Sequence, residues 1–161
     1  SLNKKEVIFS IPTRFKEMNH WIKSFGKYEG LKIKIFEQTS DCLKSSDLVI
    51  TKSGTSTLES ALYKKKAIVV YRMSAVSFFL LTKLNLINVS YASLPNILLG
   101  YEFFKEFIQD DFKSEEIANE AIKLLNDDSE DYFVPLKKLH EDLRSPKQDA
   151  ASAITRFLGL P

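Results

Sequence analysis

A single cysteine, Cys42, among 161 residues excludes an internal disulfide and any cysteine-rich metal centre, and it fits a reducing compartment. Histidine is nearly as scarce. His20 and His140 lie on different segments with no cysteine partner, so no zinc-ligand spacing can be assembled from them and no metal is expected. Neither a Ser/His/Asp order nor a G-x-S-x-G elbow occurs, which leaves hydrolase chemistry without support. An excess of one charge is missing too: 23 basic residues face 21 acidic ones, a formal charge of +2, and nucleic acid is not an expected partner. Long apolar runs are absent. The stretch from Val76 to Leu81 contains Ser77 and is followed by Thr82 and Lys83, so neither a membrane span nor a signal peptide is expected.

What is present is the composition of a soluble globular protein, 44% hydrophobic and 27% charged, at a length that suits one domain with a real core. The chain is organised around residues 47–71. Leu48-Val49-Ile50 is a short apolar run broken by Ser53-Gly54-Thr55-Ser56-Thr57; Leu58, Ala61 and Leu62 resume at helical spacing, and Ala67-Ile68-Val69-Val70 is a second run. The order reads strand, tight turn, short helix, strand. A turn of this kind presents backbone N–H groups and hydroxyls at a helix N-terminus, where phosphate oxygens or sugar hydroxyls are held. Glu59 falls one turn into the helix, on the ligand side rather than the core side.

The remaining segments extend the alternation. Residues 6–11 read as a buried strand with Pro12 marking its exit, and residues 16–28 as a helix, with Met18, Trp21, Ile22 and Phe25 on one face. Arg14 and His20 read as surface side chains, with a ligand cleft as the other reading. Residues 31–36 form a second, half-exposed strand, and Ser40 or Asp41 caps a very short helix over residues 42–44, with Cys42 half-buried beside its start. Lys64-Lys65-Lys66 reads as a solvated helix end, with an anionic surface or substrate as the alternative. Beyond Tyr71, residues 76–84 predict a strongly apolar helix for a core or an interface. Asn96 either caps the next helix or recognises a sugar or base edge. Residues 101–109 are aromatic and amphipathic, and helices are predicted from Ser114, across 132–143 with Pro135 in the first turn, and over 149–157. Strands separated by helices predict an α/β fold with a parallel sheet covered on both faces.

Three motifs carry a resemblance: SGTSTLE at 53–59, AIVVYRM at 67–73, and SLPNILLG at 93–100 followed by Glu102 and Phe107-Ile108-Gln109. In order and spacing they resemble the lipid-A-disaccharide synthases, glycosyltransferases of the two-domain GT-B type, over about residues 6–143. The resemblance implies a Rossmann-like parallel sheet flanked by helices, the C-terminal, donor-binding half of such an enzyme. It assigns 6–143 to most of that domain and 144–161 to a C-terminal helical tail, with the N-terminal acceptor domain absent.

The activity so implied is transfer of 2,3-diacylglucosamine from UDP to 2,3-diacylglucosamine 1-phosphate, with UDP-2,3-diacylglucosamine as donor substrate, no cofactor and no metal. By motif match, Ser53, Gly54 and Thr55 lie against the diphosphate, Glu59 grips the ribose hydroxyls, Tyr71, Arg72 and Met73 belong to the segment that flanks the uracil, with Arg72 either near the base or closing a salt bridge, Asn96 contacts the donor, and Gln109 stands near the same cleft. No catalytic residue is expected within this chain, because the family's catalytic carboxylates belong to the acceptor domain. The glycine-rich L-P-G-S-R turn of the family has no counterpart in SLNKKEVIFSIPTRF, and Val76 falls where relatives often carry an aromatic. The implied partners are the UDP-sugar, the acylated glucosamine phosphate, the protein's own N-terminal domain, and the cytoplasmic face of the inner membrane as a peripheral contact; the density of aromatics at Phe78, Phe79 and 101–107 suits a surface facing the acceptor domain, the acyl chains or the bilayer. Another UDP-sugar glycosyltransferase of GT-B type and a non-catalytic nucleotide-binding module are the competing readings.

Overall fold

A computed structural model describes residues 7–13, 20, 22, 24, 32–72 and 91–144. Strand β1 (Ile8–Pro12) pairs in parallel with β2 (Lys32–Phe36), Ile8 opposite Lys32 and Pro12 opposite Phe36. Helix α1 (Thr39–Ser45) leads to β3 (Leu48–Lys52), helix α2 (Thr55–Leu62) and β4 (Lys66–Tyr71). Helix α3 (Leu94–Leu99) precedes β5 (Lys105–Ile108), and α4 (Ser114–Asn126) and α5 (Val134–Arg144) close the described chain. The hydrogen-bonded order is β1-β2 in one ladder and β3-β4-β5 in a second, with every pairing parallel. The fold is thus α/β, parallel sheets flanked by helices, as the alternation of runs predicts.

Strand β4 is the centre. Its first four residues are buried, and alternation sends successive side chains to opposite layers. Ala67 and Val69 pack with Ala61 of α2, Phe104, and Leu136 and Leu139 of α5. Ile68 packs on the other face with Phe107 and Leu124 of α4. The faces predicted for α4 and α5 are the ones that pack, and Pro135 lies in the first turn of α5, where its missing N–H has no helical partner to lose.

Several expectations are corrected. Strand β1 is not buried: Ile8 and Phe9 are 54% and 47% exposed, and among the described residues β2 is its only hydrogen-bonded neighbour. Pro12 closes the strand from within. Helix α1 is longer than predicted, its N-cap Gln38 provides no side-chain cap, and Cys42 is fully buried inside it, where burial raises the thiol pKa. The lysine run is not simply solvated. Lys65 Nζ donates to the Lys44 carbonyl at 3.0 Å, and the buried Lys66 reaches the C-terminal carbonyls of α4, Leu124 at 2.8 Å and Asp127. A cation suits the negative end of that helix. Among the aromatics of 101–107, Phe104 and Phe107 are buried and Phe103 stacks on Tyr132 with ring centres 4.9 Å apart, which leaves Tyr101 as the exposed one. The predicted helices over 76–84 and 149–157, Arg14, and most of 16–28 lie outside the described residues. Of 16–28, helical Ile22 is buried while His20 is exposed. Among the described residues no helix is long and apolar enough to cross a membrane.

Candidate donor site

Three adjacent parallel strands end together. Lys52 of β3 pairs with Val70, and Tyr71 of β4 pairs with Ile108 of β5, so Ser53, Arg72 and Gln109 all leave the sheet at its carboxyl edge. Open parallel sheets bind ligands outside this edge. A second cleft, about 580 Å³ and lined by Lys64, Lys137, His140, Glu141 and Arg144, lies toward the amino end of β4. It is an open depression between exposed charged side chains and shares none of the residues singled out by motif.

The turn after β3 is built by its own hydroxyls. Gly54 adopts φ +132° and ψ −159°, a region essentially reserved for glycine, and a Cβ there would meet no atom within 4 Å. Backbone conformation, not crowding, therefore demands this glycine. Its carbonyl accepts the Thr57 N–H at 3.1 Å and the Thr57 hydroxyl at 2.6 Å, while the Ser56 hydroxyl donates to the Lys52 carbonyl at 3.1 Å and receives the Thr51 hydroxyl at 2.8 Å. Ser56 and Thr57 are thus consumed in shaping the turn. Thr55 remains exposed at the first helical position, and Glu59 follows four residues later on the same exposed face. Among the described residues the Glu59 carboxylate makes no hydrogen bond or ion pair. Among the described residues, the N–H groups of Thr55 and Ser56, which the helix itself cannot pair, and the Glu59 carboxylate one turn on form a donor group and an acceptor group within a single short helix.

The neighbouring strand ends add positive charge. Arg72 is exposed and makes no ion pair among the described residues, and Lys52 Nζ stands 5.4 Å from the Tyr71 ring centre. Met73 lies outside the described residues. Gln109 is half-buried with φ +55°, an unusual conformation for a residue other than glycine, at the start of the turn that follows β5.

Asn96 is placed differently from either reading of it. It lies inside α3, whose N-cap is Ser93, and it is completely buried. Its Oδ1 accepts the N–H groups of Phe103 and Phe104 at 3.0 and 2.8 Å, and its Nδ2 donates to the Phe104 carbonyl at 2.8 Å and to Glu106 Oε1 at 2.7 Å. Direct contact with a donor would require this network to open. Glu106, a residue no motif singles out, also accepts the Ser93 N–H and hydroxyl and the Ala92 N–H. The Ala92 carbonyl in turn receives the Ser53 hydroxyl at 2.5 Å, joining this network to the turn. The only sequence signal for Glu106 is an acid at an inward position of a short strand, legible once the strand is known.

A family model described as lipid-A-disaccharide synthetase matches residues 3–155. The chain belongs to this family. Among its relatives is the lipid-A-disaccharide synthase of Vibrio campbellii, 34% identical over 130 residues, covering 80% of this chain and 34% of the relative. The Pseudomonas putida enzyme of that name is 36% identical over 122 residues, 75% of this chain and 32% of the relative, and the Blochmanniella pennsylvanica enzyme is 35% identical over 121 residues, 73% and 31%. The chain spans about a third of the length of these curated relatives. The carboxyl-edge turn, the 91–96 segment and β5 all fall inside the region that the family model matches.

Proposed function

We propose that this chain forms most of the donor-binding half of a lipid-A-disaccharide synthase, with residues 6–143 as the nucleotide-sugar domain and 144–161 as a helical tail. The observation that carries the reading is the carboxyl-edge turn: Gly54 in a glycine-only conformation, the Thr55 and Ser56 N–H groups at the start of α2, and Glu59 one turn on, unpaired among the described residues.

In this reading the diphosphate of UDP-2,3-diacylglucosamine lies against Ser53, Gly54 and Thr55, where fixed N–H dipoles stabilise the charge of the departing UDP without needing a metal. Glu59 accepts the ribose hydroxyls; beside the diphosphate it would be repelled. Arg72 and Met73 flank the uracil, Gln109 stands near the same cleft, and Asn96 acts by holding the 91–106 network in shape. The acceptor's 6-hydroxyl attacks the anomeric carbon from the face opposite UDP. The bond to UDP breaks with its electron pair, and the hydroxyl proton passes to a base outside this chain, giving the β-1,6-linked disaccharide from 2,3-diacylglucosamine 1-phosphate. The chain alone binds donor and does not turn over; catalysis needs the N-terminal acceptor domain, at the cytoplasmic face of the inner membrane.

Calorimetric titration with UDP tests the reading. Loss of one charged hydrogen-bonding partner costs about 1.5–3 kcal/mol, so Glu59→Ala should weaken binding by roughly ten- to a hundredfold. A folded wild-type chain that ignores UDP, or an alanine variant that binds as well as wild type, would count against it.

A further inference from the structure

Glu106 lies on β5 opposite Val69, on the layer that holds α2, α3 and α5, while its neighbour Phe107 faces α4. A half-buried carboxylate on a core-facing side needs hydrogen-bond donors, and four converge on it. Oε1 accepts the Ser93 N–H at 2.9 Å, the Ser93 hydroxyl at 2.7 Å and Asn96 Nδ2 at 2.7 Å; Oε2 accepts the Ala92 N–H at 2.7 Å. The Ser93 hydroxyl, which would ordinarily cap its own helix, is turned over to this carboxylate, so a residue of β5 caps α3 from outside. The last link leads to the proposed donor turn. Ala92 is held by Glu106 through its N–H and holds Ser53 through its carbonyl, across 39 residues of sequence.

We infer that Glu106 is a positioning residue for the donor site: it fixes the 92–96 segment and, through Ala92, the orientation of Ser53 and of the turn that follows. The inference rests on the donor-site reading above. The two carboxylate oxygens are not equivalent, and this makes the assignment testable. In Glu106→Gln the amide oxygen best takes the three-donor Oε1 position, which sets the amide NH2 against the Ala92 N–H, donor facing donor. The substitution is nearly isosteric, keeps most of the cap on α3, and cuts the link to Ser53.

The experiment is a thermodynamic cycle of UDP titrations on wild type, E106Q, S53A and the double variant, at a temperature where circular dichroism shows each to be folded, with amide exchange read at Ala92 and Ser93. E106Q should weaken UDP binding at least tenfold and deprotect the Ala92 amide, and the double variant should bind no worse than the weaker single one. Wild type that binds UDP while E106Q binds equally well, or losses from E106Q and S53A that multiply, would overturn the positioning role and leave the donor site standing. A folded wild-type chain that does not bind UDP would remove the donor-site reading and the positioning role with it. If E106Q does not fold, E106D, which retains both acceptor oxygens but draws them back from the 92–93 segment, is judged by the same outcomes.

Discussion

At the scale of single residues, polar groups in this chain act by where they are buried. Tyr132 packs between Phe103 and Phe133 against the sheet, with its ring 5.6 Å from Lys66 Nζ. Burial pushes its pKa from 10.0 up to about 12, against the lowering effect of the Ala67 backbone and with smaller contributions from the charges of Glu120 and Asp127. The sign follows directly. A folded pKa above the unfolded one leaves the stabilisation intact below pH 10, and it is lost as the pH rises from about 10 to 12, because the unfolded phenol ionises first. Stability measured by denaturant titration should be insensitive to Tyr132 near neutrality and should fall by about 1.4 kcal/mol per pH unit across that window. Tyr132→Phe should lack this component while keeping the alkaline behaviour of the other groups. Equal slopes for the two proteins would show that the hydroxyl is solvated. Lys66 illustrates the same rule with the opposite charge: a lysine in the middle of a basic run is a buried cap because the carbonyls of α4 end above it.

At the scale of elements, the turn between β3 and α2 is the most constrained piece of backbone. Gly54→Ala should cost about 1–3 kcal/mol of stability from its φ alone, and it should also weaken UDP binding by redirecting the N–H groups at the start of α2. Gly100→Ala provides the control. That residue ends α3 at φ +80° and ψ 9°, an ordinary left-handed cap, so the variant should lose about 1 kcal/mol and leave UDP binding unchanged. If both alanine variants bound UDP like wild type, the turn would not hold the ligand. The core of this architecture is legible in the sequence because β3 and β4 contain the apolar runs Leu48–Ile50 and Ala67–Val70 and the turn between them is written in Ser, Gly and Thr; β5, Lys105-Glu106-Phe107-Ile108, is no such run and reads only as part of an amphipathic stretch. The exposure of β1 is not legible: EVIFSI looks like a core strand, and whether it is buried depends on what stands beside it. The role of Asn96 is hidden for another reason. Its four hydrogen bonds go to residues 103–106, seven to ten positions further along, and they are apparent only once the chain is known to double back from α3 into β5. Glu106 shares that reason.

At the scale of the whole molecule, the division of the strands into two ladders matters most. The β3-β4-β5 ladder carries helices on both faces, and four consecutive residues of its central strand are buried. The β1-β2 ladder has two strands and intermediate or exposed positions throughout, with α1 packed against it. Two strands joined to a short helix are marginal by themselves, so the molecule should not behave as one cooperative unit. Native-state hydrogen exchange should find the amides of Ala67–Val70 opening only with global unfolding, and those of Phe9–Ile11 and Ile33–Ile35 opening earlier, through a separate subglobal event. A single opening free energy for both sets would mean that the ladders are coupled more tightly than their contacts suggest. The separation has a thermodynamic corollary for the donor turn. Since Ser53, Gly54, Glu59, Asn96 and Glu106 all belong to the more stable ladder or to segments clamped onto it, melting of the β1-β2 ladder alone would leave their geometry standing, and the temperature at which ligand affinity disappears should follow the second transition rather than the first.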